Sequence, residues 1–565
     1  MAAVERASYE VQVMRDGRWV MTTVFDGEDQ AHAAATKLLT DKKCEGARIL
    51  RNWNRHDGRM VESEIFCQTR TVRDDGPIRI VAIETAPPRC ERPEDYYGLD
   101  SRMVMSRIFH NYFEKAYVTP TEVIHNFREL KRIQDKDSLV PSAVDRVAGL
   151  QTRQGGGDAK ARRDEIFKSL EHMSKRARQA EQAGLPKLNG HLSQCFCELR
   201  APDAAERDFL ALAVLSRELI NTRNWLGKLE RLCTLAAAEP DPHAVELLDG
   251  VIADVLGADV VQEILGWQPS LGHAIRSMLD LADGQLAADK LPPGEPAEML
   301  NRLLAGGKLP ASRLCLIDRA HRQLRSANPL RRTEPAKEAE EFKAVVARMA
   351  TPGGLYDGPN TAEALTTRYA HMVEQGGAAG KRAAIAATFR SMPDRAWGVV
   401  YLCELARTAY AKEFAADMVE QFRITLSTRR LSDLCPPTLP PKERMKRATA
   451  AHATMAASPF PAGIKEQVTT HIDGLLERYL IDEQIVEKLD HADSPLRDRA
   501  SRLVQFCAAG VLPEGRALTR ARQRILTLLR QPNFDQHFVQ GIASPDAAQA
   551  ALRQFHQLLI KAGFG

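Results

Sequence analysis

His191-Leu-Ser-Gln-Cys195-Phe-Cys197 places three soft donors within seven residues, a composition that suits zinc. A structural zinc centre is tetrahedral and needs a fourth donor, yet no second cysteine pair at zinc spacing occurs in the chain. Two thiols beside a core are therefore expected, and no metal. Gly376-Gly-Ala-Ala-Gly-Lys381 approaches a phosphate-binding loop, whose amides cradle phosphates and whose hydroxyl reaches magnesium. The position that needs the first glycine holds Gln375, and the one that needs Ser or Thr holds Arg382, so this segment reads as a linker between helices. Gly155-Gly156-Gly157 has no preceding strand and reads as a break.

Asp490-His491-Ala-Asp493 and His56-Asp57 have the types of an acid–imidazole pair. The first falls at a helix junction ahead of Ser494-Pro495 and the second in a hairpin turn, places where Asp is favoured for local hydrogen bonding alone. No nucleophile elbow, His-Glu-x-x-His, Cys-x-x-Cys or dinucleotide fingerprint occurs. No catalytic, cofactor-binding or metal residue is assigned, and no cofactor is expected. An enzyme with a site dispersed along the chain stays open as an alternative.

Basic residues cluster at Lys160 to Arg163, at Lys175 to Arg178, at Arg429-Arg430, and in two runs that are candidate polyanion contacts: Lys442, Lys446 and Arg447, then Arg516, Arg520 and Arg524. Nucleic-acid binding would want such residues on one face with stacking aromatics between them. Aromatics are only 6% of the chain and are not interleaved there, and the formal charge is +4 over 565 residues, so solvated helix faces are the expectation and a nucleic-acid regulator the alternative. Trp19, Trp53 and Phe66 fill a one-sided core or form a partner surface, and the aromatics from Tyr96 to Tyr117 seat the N-terminal module on the first helices.

The elements that position these residues fall into two textures. Tyr9, Val11 and Val13 alternate with polar residues, Arg15-Asp-Gly-Arg18 turns, and Trp19, Val20 and Val24 continue on the far side. Ala31, Ala34, Ala35, Leu38 and Leu39 then share a helical face, an extended run from Gly46 carries Ile49, Leu50 and Trp53, and His56-Asp-Gly-Arg59 leads into Val61, Ile65 and Phe66. The pattern predicts a ββαββ module, with a further edge strand at Ile78 to Ile83 before the Pro-rich stretch Ala86 to Pro93. After Asp100 the punctuation is that of helices alone: stripes from Phe209 to Leu232, Val245 to Leu256, Leu314 to Leu324, Ala362 to Met372, Val468 to Leu480 and Leu496 to Phe506, and a last helix opening at Ser544-Pro545.

The fold class is α+β, a small module followed by a long all-α region, either a bundle or an irregular α-solenoid without a fixed repeat. Domains are expected at 1–95, 96–186 (a helical linker region), 187–350, 351–435 and 442–565, with breaks at 154–157, 290–294, 351–354 and the double Pro pair of 435–441. Ten cysteines strewn along the chain suit free thiols in a reducing compartment. No run approaches a membrane span and the first residues lack the order of a signal peptide, so a cytoplasmic protein with no membrane partner is expected. The abundance of Ala, Arg, Leu and Gln suits helices and a GC-rich bacterial genome. By elimination the chain reads as a non-enzymatic bacterial adaptor or regulatory scaffold working through protein partners, whose identity and stoichiometry the sequence leaves open.

Overall fold

A computed structural model describes residues 8–15, 18–40, 46–54, 60–69, 78–136, 138–287, 296–332, 334–373 and 376–564. Its contacts divide the chain into two compact units, 1–78 and 79–565.

In the first unit the strands β1 (Ser8–Arg15), β2 (Arg18–Phe25), β3 (Gly46–Asn54) and β4 (Met60–Thr69) form an antiparallel sheet ordered β2-β1-β3-β4. The helix α1 (Glu28–Thr40) packs on β1 and β3. Alternation decides the faces, since successive strand residues point to opposite sides. Tyr9 and Val11 of β1 and Ala47 and Ile49 of β3 bury against Ala31 and Ala35 of α1, and Phe25, Ala34, Leu38 and Phe66 complete this small core. Acidic Glu28 and Asp29 open α1 and Lys37 closes it, in the sense the helix dipole favours. The two Asp-Gly turns, His56-Asp57 and the break at 290–294 lie outside the described residues.

The second unit is helical among its described residues, apart from a two-stranded ribbon at 350–355. The edge strand expected at Ile78 to Ile83 is not formed. That segment runs extended, but its polar backbone is taken by helices: Val81 N–H donates to Ile108 O at 2.8 Å, and Arg146 Nε donates to Ile83 O at 2.9 Å. The stripe read from Phe209 to Leu232 is two helices, Ala204–Leu219 and Trp225–Ala238, broken at Ile220 to Asn224, where Asn224 caps the second by accepting Gly227 N–H.

Eleven helices suffice to place the site. After α1 come α2 (Leu99–Ile108), α3 (His110–Ala116), α4 (Pro120–His125), α5 (Phe127–Gln134), α6 (Leu139–Gly155), α7 (Ala159–Gln182), α8 (Leu192–Glu198), α9 (Ala204–Leu219), α10 (Trp225–Ala238) and α11 (Pro242–Leu256). From α10 onward helices pack on those near them in the chain, α11 on the helix Pro310–Arg325, that on Gly358–Met372, and so on to the last helix, Pro545–Lys561. This is how stacked helical layers pack. One apolar core runs from Leu192 to Ala562, and it spans the Pro-rich segment: Leu434 and Cys435 before it and Met445 after it belong to the same cluster.

Several helix starts are closed by a carboxylate from another helix. Asp249, midway along α11, accepts Ala311 N–H at 2.6 Å and Ser312 N–H at 2.9 Å at the start of Pro310–Arg325, where Leu309 offers no cap of its own. Asp254, also on α11, accepts Thr121 N–H at 2.9 Å in the first turn of α4. Asp473 accepts Arg516 N–H at 2.7 Å at the start of Arg516–Leu529, and a Cβ on Gly515 would lie 2.5 Å from that carboxylate, which is why glycine stands there.

Candidate functional site

The first helical layer surrounds a half-open apolar cavity of about 150 Å³. Helical spacing builds its walls. Val140, Ala143, Val144 and Val147 form one stripe of α6, and Ile166, Leu170 and Met173 form the facing stripe of α7. Val104, Met105 and Ile108 come from α2, Val123 and Ile124 from α4, and Leu130 and Ile133 from α5, with Phe109 and Phe113 at the aromatic end. Polar side chains gather at one end only: Cys90, Tyr96, Ser101, Gln151 and Arg162.

That end is covered by an extended strap, residues 86–90, stitched down by side chains of α6 and α7. Gln151 Nε2 donates to the carbonyls of Pro87 and Pro88, both at 3.1 Å. Arg162, buried at 6% exposure, donates to Cys90 O at 3.0 Å, to Gln151 Oε1 at 2.8 Å and to Glu165 Oε2 at 2.8 Å. Pro87 and Pro88 bring no backbone N–H to the strap. Outside the strap lies a more open depression of about 340 Å³, which shares Pro87, Pro88, Gln151 and Arg162 with the cavity, so these four residues stand where the two spaces meet. Gly155 and Gly156 form its rim, with φ of +77° at Gly156 and open space where a Cβ would project from either.

The groups at the mouth are poorly disposed to catalysis. Burial pushes the Cys90 thiol up, its Sγ lying 3.1 Å from Ser101 Oγ, and burial pushes the Tyr96 hydroxyl up as well. The Arg162 hydrogen bond holds the Glu165 carboxyl below the usual carboxylate range. A thiol kept protonated is a weak nucleophile, and a carboxylate kept charged by arginine is no proton donor near neutral pH. The arrangement suits binding an apolar body.

The helix α4 is both wall and keystone. All six of its residues are buried. Val123 and Ile124 face the cavity, while Thr121, Glu122 and His125 enter a charged seam with α2, α10 and α11. Arg102 pairs with Asp254 at 2.9 Å and donates to Gly250 O at 3.0 Å, an approach open because Gly250 has no side chain: a Cβ would lie 2.8 Å from the guanidinium. Lys228 Nζ donates to Glu122 Oε1, both side chains fully buried, and Glu122 Oε2 accepts Thr119 N–H at 2.8 Å. Burial pushes the Glu122 carboxyl up and the Lys228 ammonium down, each opposed by the other's charge. His125 lies 2.8 Å through Nδ1 from Thr121 O, which can only accept, so Nδ1 carries the proton; burial pulls its pKa down to about 3.

His110, Glu114 and Asp259 bring three ligand-type atoms within 4.8 Å of one another. Their donors are already used: Glu114 accepts Asp259 N–H and Trp225 Nε1–H, both at 2.8 Å, and Asp259 receives Arg319 at 3.3 Å. The trio ties α3 to the segment after α11.

Residues singled out by sequence are scattered. Trp19 lies under the Arg48 guanidinium, 4.7 Å from its carbon, and Phe66 packs edge-on to His32 at 5.2 Å; the side chain of Trp53 lies outside the described residues. In the second unit, Lys446 pairs with Glu443, Arg447 with Asp394 at 2.6 Å, Arg520 with Glu487 and Arg524 with Asp490, while Lys442 and Arg516 are exposed. The two runs occupy separate helices, Pro441–Ala456 and Arg516–Leu529, each packed on Ala462–Asp482. Cys195 and Cys197 sit on α8, the first buried and the second exposed, so they do not converge. Gly377 to Lys381 begins the helix Gly377–Ser391, with Lys381 over the rings of Tyr410 and Phe414. Asp490 serves Arg499 and Arg524 rather than His491. The cavity itself was missed by motif reading, because its lining is spread from Pro87 to Met173 as ordinary apolar helix positions. Comparison with family models, with curated proteins and with solved structures finds no match.

Proposed function

We propose that this protein is a non-enzymatic regulatory scaffold whose first helical layer binds a small apolar molecule. One observation carries the reading: a cavity of about 150 Å³ whose polar groups are confined to one end. Apolar cavities of this size stay dry and take up a benzene-sized guest. Natural interiors are close-packed, so a void costs stability unless something fills it. The test is titration calorimetry of the full chain with 1-octanol, for wild type and Ala143→Leu, which grows a side chain into the void. Saturable binding by wild type and its loss in the variant is the expected result. Absence of binding, or equal binding by both, would refute the reading.

A second reading concerns protein partners. We take the N-terminal unit as a ββαββ docking module, because its edge strand β2 exposes Val20, Met21 and Val24 at 48%, 58% and 50%. An uncovered apolar edge accepts an added strand from an extended peptide. Val24→Pro should then abolish association with whichever protein co-purifies with wild type, and unchanged recovery would reject strand addition.

A further inference from the structure

The mouth of the cavity has a chemistry of its own. The charged side chains lining the outer depression are Arg89 and Arg162, and among the described residues no acidic side chain lines it. Both guanidiniums converge on Glu165, at 3.1 Å from Arg89 and 2.8 Å from Arg162, and Arg89 also holds the exposed Glu91 at 3.3 Å. Glu165 projects from α7 one turn after Arg162 and is half exposed, as is Arg89, so either can swing into solvent. Arg162 is different: it is buried and spent on the strap. The protein thus already holds a carboxylate against this arginine pair, beside the four residues where depression and cavity meet.

We propose that the ligand is a monocarboxylic amphiphile with roughly six carbons of its apolar body inside the void, the size 150 Å³ accepts, and another one or two reaching through the mouth to the head. The body fills the cavity, and the head exchanges with Glu165 at Arg89 and Arg162. This rests on the apolar-binding reading above and adds the head group to it. Arginine forks match carboxylates bidentately, whereas an ammonium head of equal length finds no acidic side chain among the described residues that line the depression.

The experiment compares octanoate, 1-octanol and octylammonium by titration calorimetry of the full chain at low salt. Octanoate should bind at least about fivefold tighter than 1-octanol, with octylammonium weakest, the scale expected of a partly exposed charge-assisted contact. Glu165→Gln, which removes the internal competitor, should tighten octanoate severalfold and leave 1-octanol unchanged. Arg89→Gln, at a half-exposed position outside the cavity, should bring octanoate down to the level of the alcohol. Equal affinity for octanoate and 1-octanol, or octylammonium binding tightest, overturns the head-group assignment while the cavity reading stands. If none of the three binds, the cavity reading falls and this inference falls with it.

Discussion

Lys228→Met is the sharpest test of the charged seam. Methionine keeps much of the apolar stem of Lys228 and removes its ammonium, leaving Glu122 fully buried with one oxygen stripped of its partner. Breaking a buried pair from one side costs about 3–5 kcal/mol. An independent route gives a similar figure: if Glu122 answers by taking a proton, the cost at pH 7 is that of protonating a carboxyl of ordinary pKa 4.5, about 3.4 kcal/mol at 1.36 kcal/mol per unit. This route also fixes the pH response, because the penalty should shrink by about 1.4 kcal/mol for each unit the solution is acidified from 7 toward 5. Adding Glu122→Gln removes the stranded charge, so the double variant should recover much of the loss. Hydrogen exchange read by mass spectrometry over residues 119–134 is the suitable assay, since it reports local opening in a chain too large for all-or-none unfolding. Unchanged protection in Lys228→Met, or a double variant no better than the single, would refute the account of α4 as a keystone held by this pair.

Other perturbations follow from the same geometry. His125 is neutral when folded, with its pKa pulled down to about 3 from 6.5, so the stability it contributes is complete above 6.5 and is lost as pH falls toward 3. That loss runs at about 1.4 kcal/mol per unit, and His125→Gln should flatten the pH dependence of exchange protection over residues 119–134, corrected for intrinsic exchange, between pH 6.5 and 4. Ala143→Leu should raise the thermal midpoint, since filling part of the void recovers about 1–2 kcal/mol, and a fall would mean the wall cannot accept the added atoms. Asp249→Ala strips the bonds to Ala311 N–H, Ser312 N–H and the Ser312 hydroxyl, and should lower the local opening free energy read by hydrogen exchange at residues 310–313 by about 2–3 kcal/mol.

Much of the architecture was legible because periodicity is a local property. The change from alternation before Thr69 to helical stripes after Asp100, and the helix opening at Ser544-Pro545, can be read within windows of a dozen residues. The failures were tertiary. Ile78 to Ile83 has the composition of a strand, but its carbonyls and amides meet Arg146 and Ile108 instead of a neighbouring strand. The partners of the basic runs, Asp394 for Arg447, Glu487 for Arg520 and Asp490 for Arg524, are distant in sequence and so could not be named from it. Among the described residues no helix is long and apolar enough to cross a membrane, a property composition does reveal. The cavity left no mark, since Val144 facing a void and Val251 facing a packed neighbour are the same letter.

The carboxylate that closes α4 also sets a clock. Thr121 waits on Asp254, which lies 133 residues further along the chain. At a synthesis rate of about 5–20 residues per second, roughly 7–27 s pass between the emergence of these two residues from the ribosome. For most of that interval, until Lys228 emerges 106 residues after Glu122, the wall formed by Val123 and Ile124 has neither Asp254 nor Lys228 to hold it. If an apolar ligand binds this chamber as proposed, one supplied while the chain is being made should be retained more fully than one added afterwards.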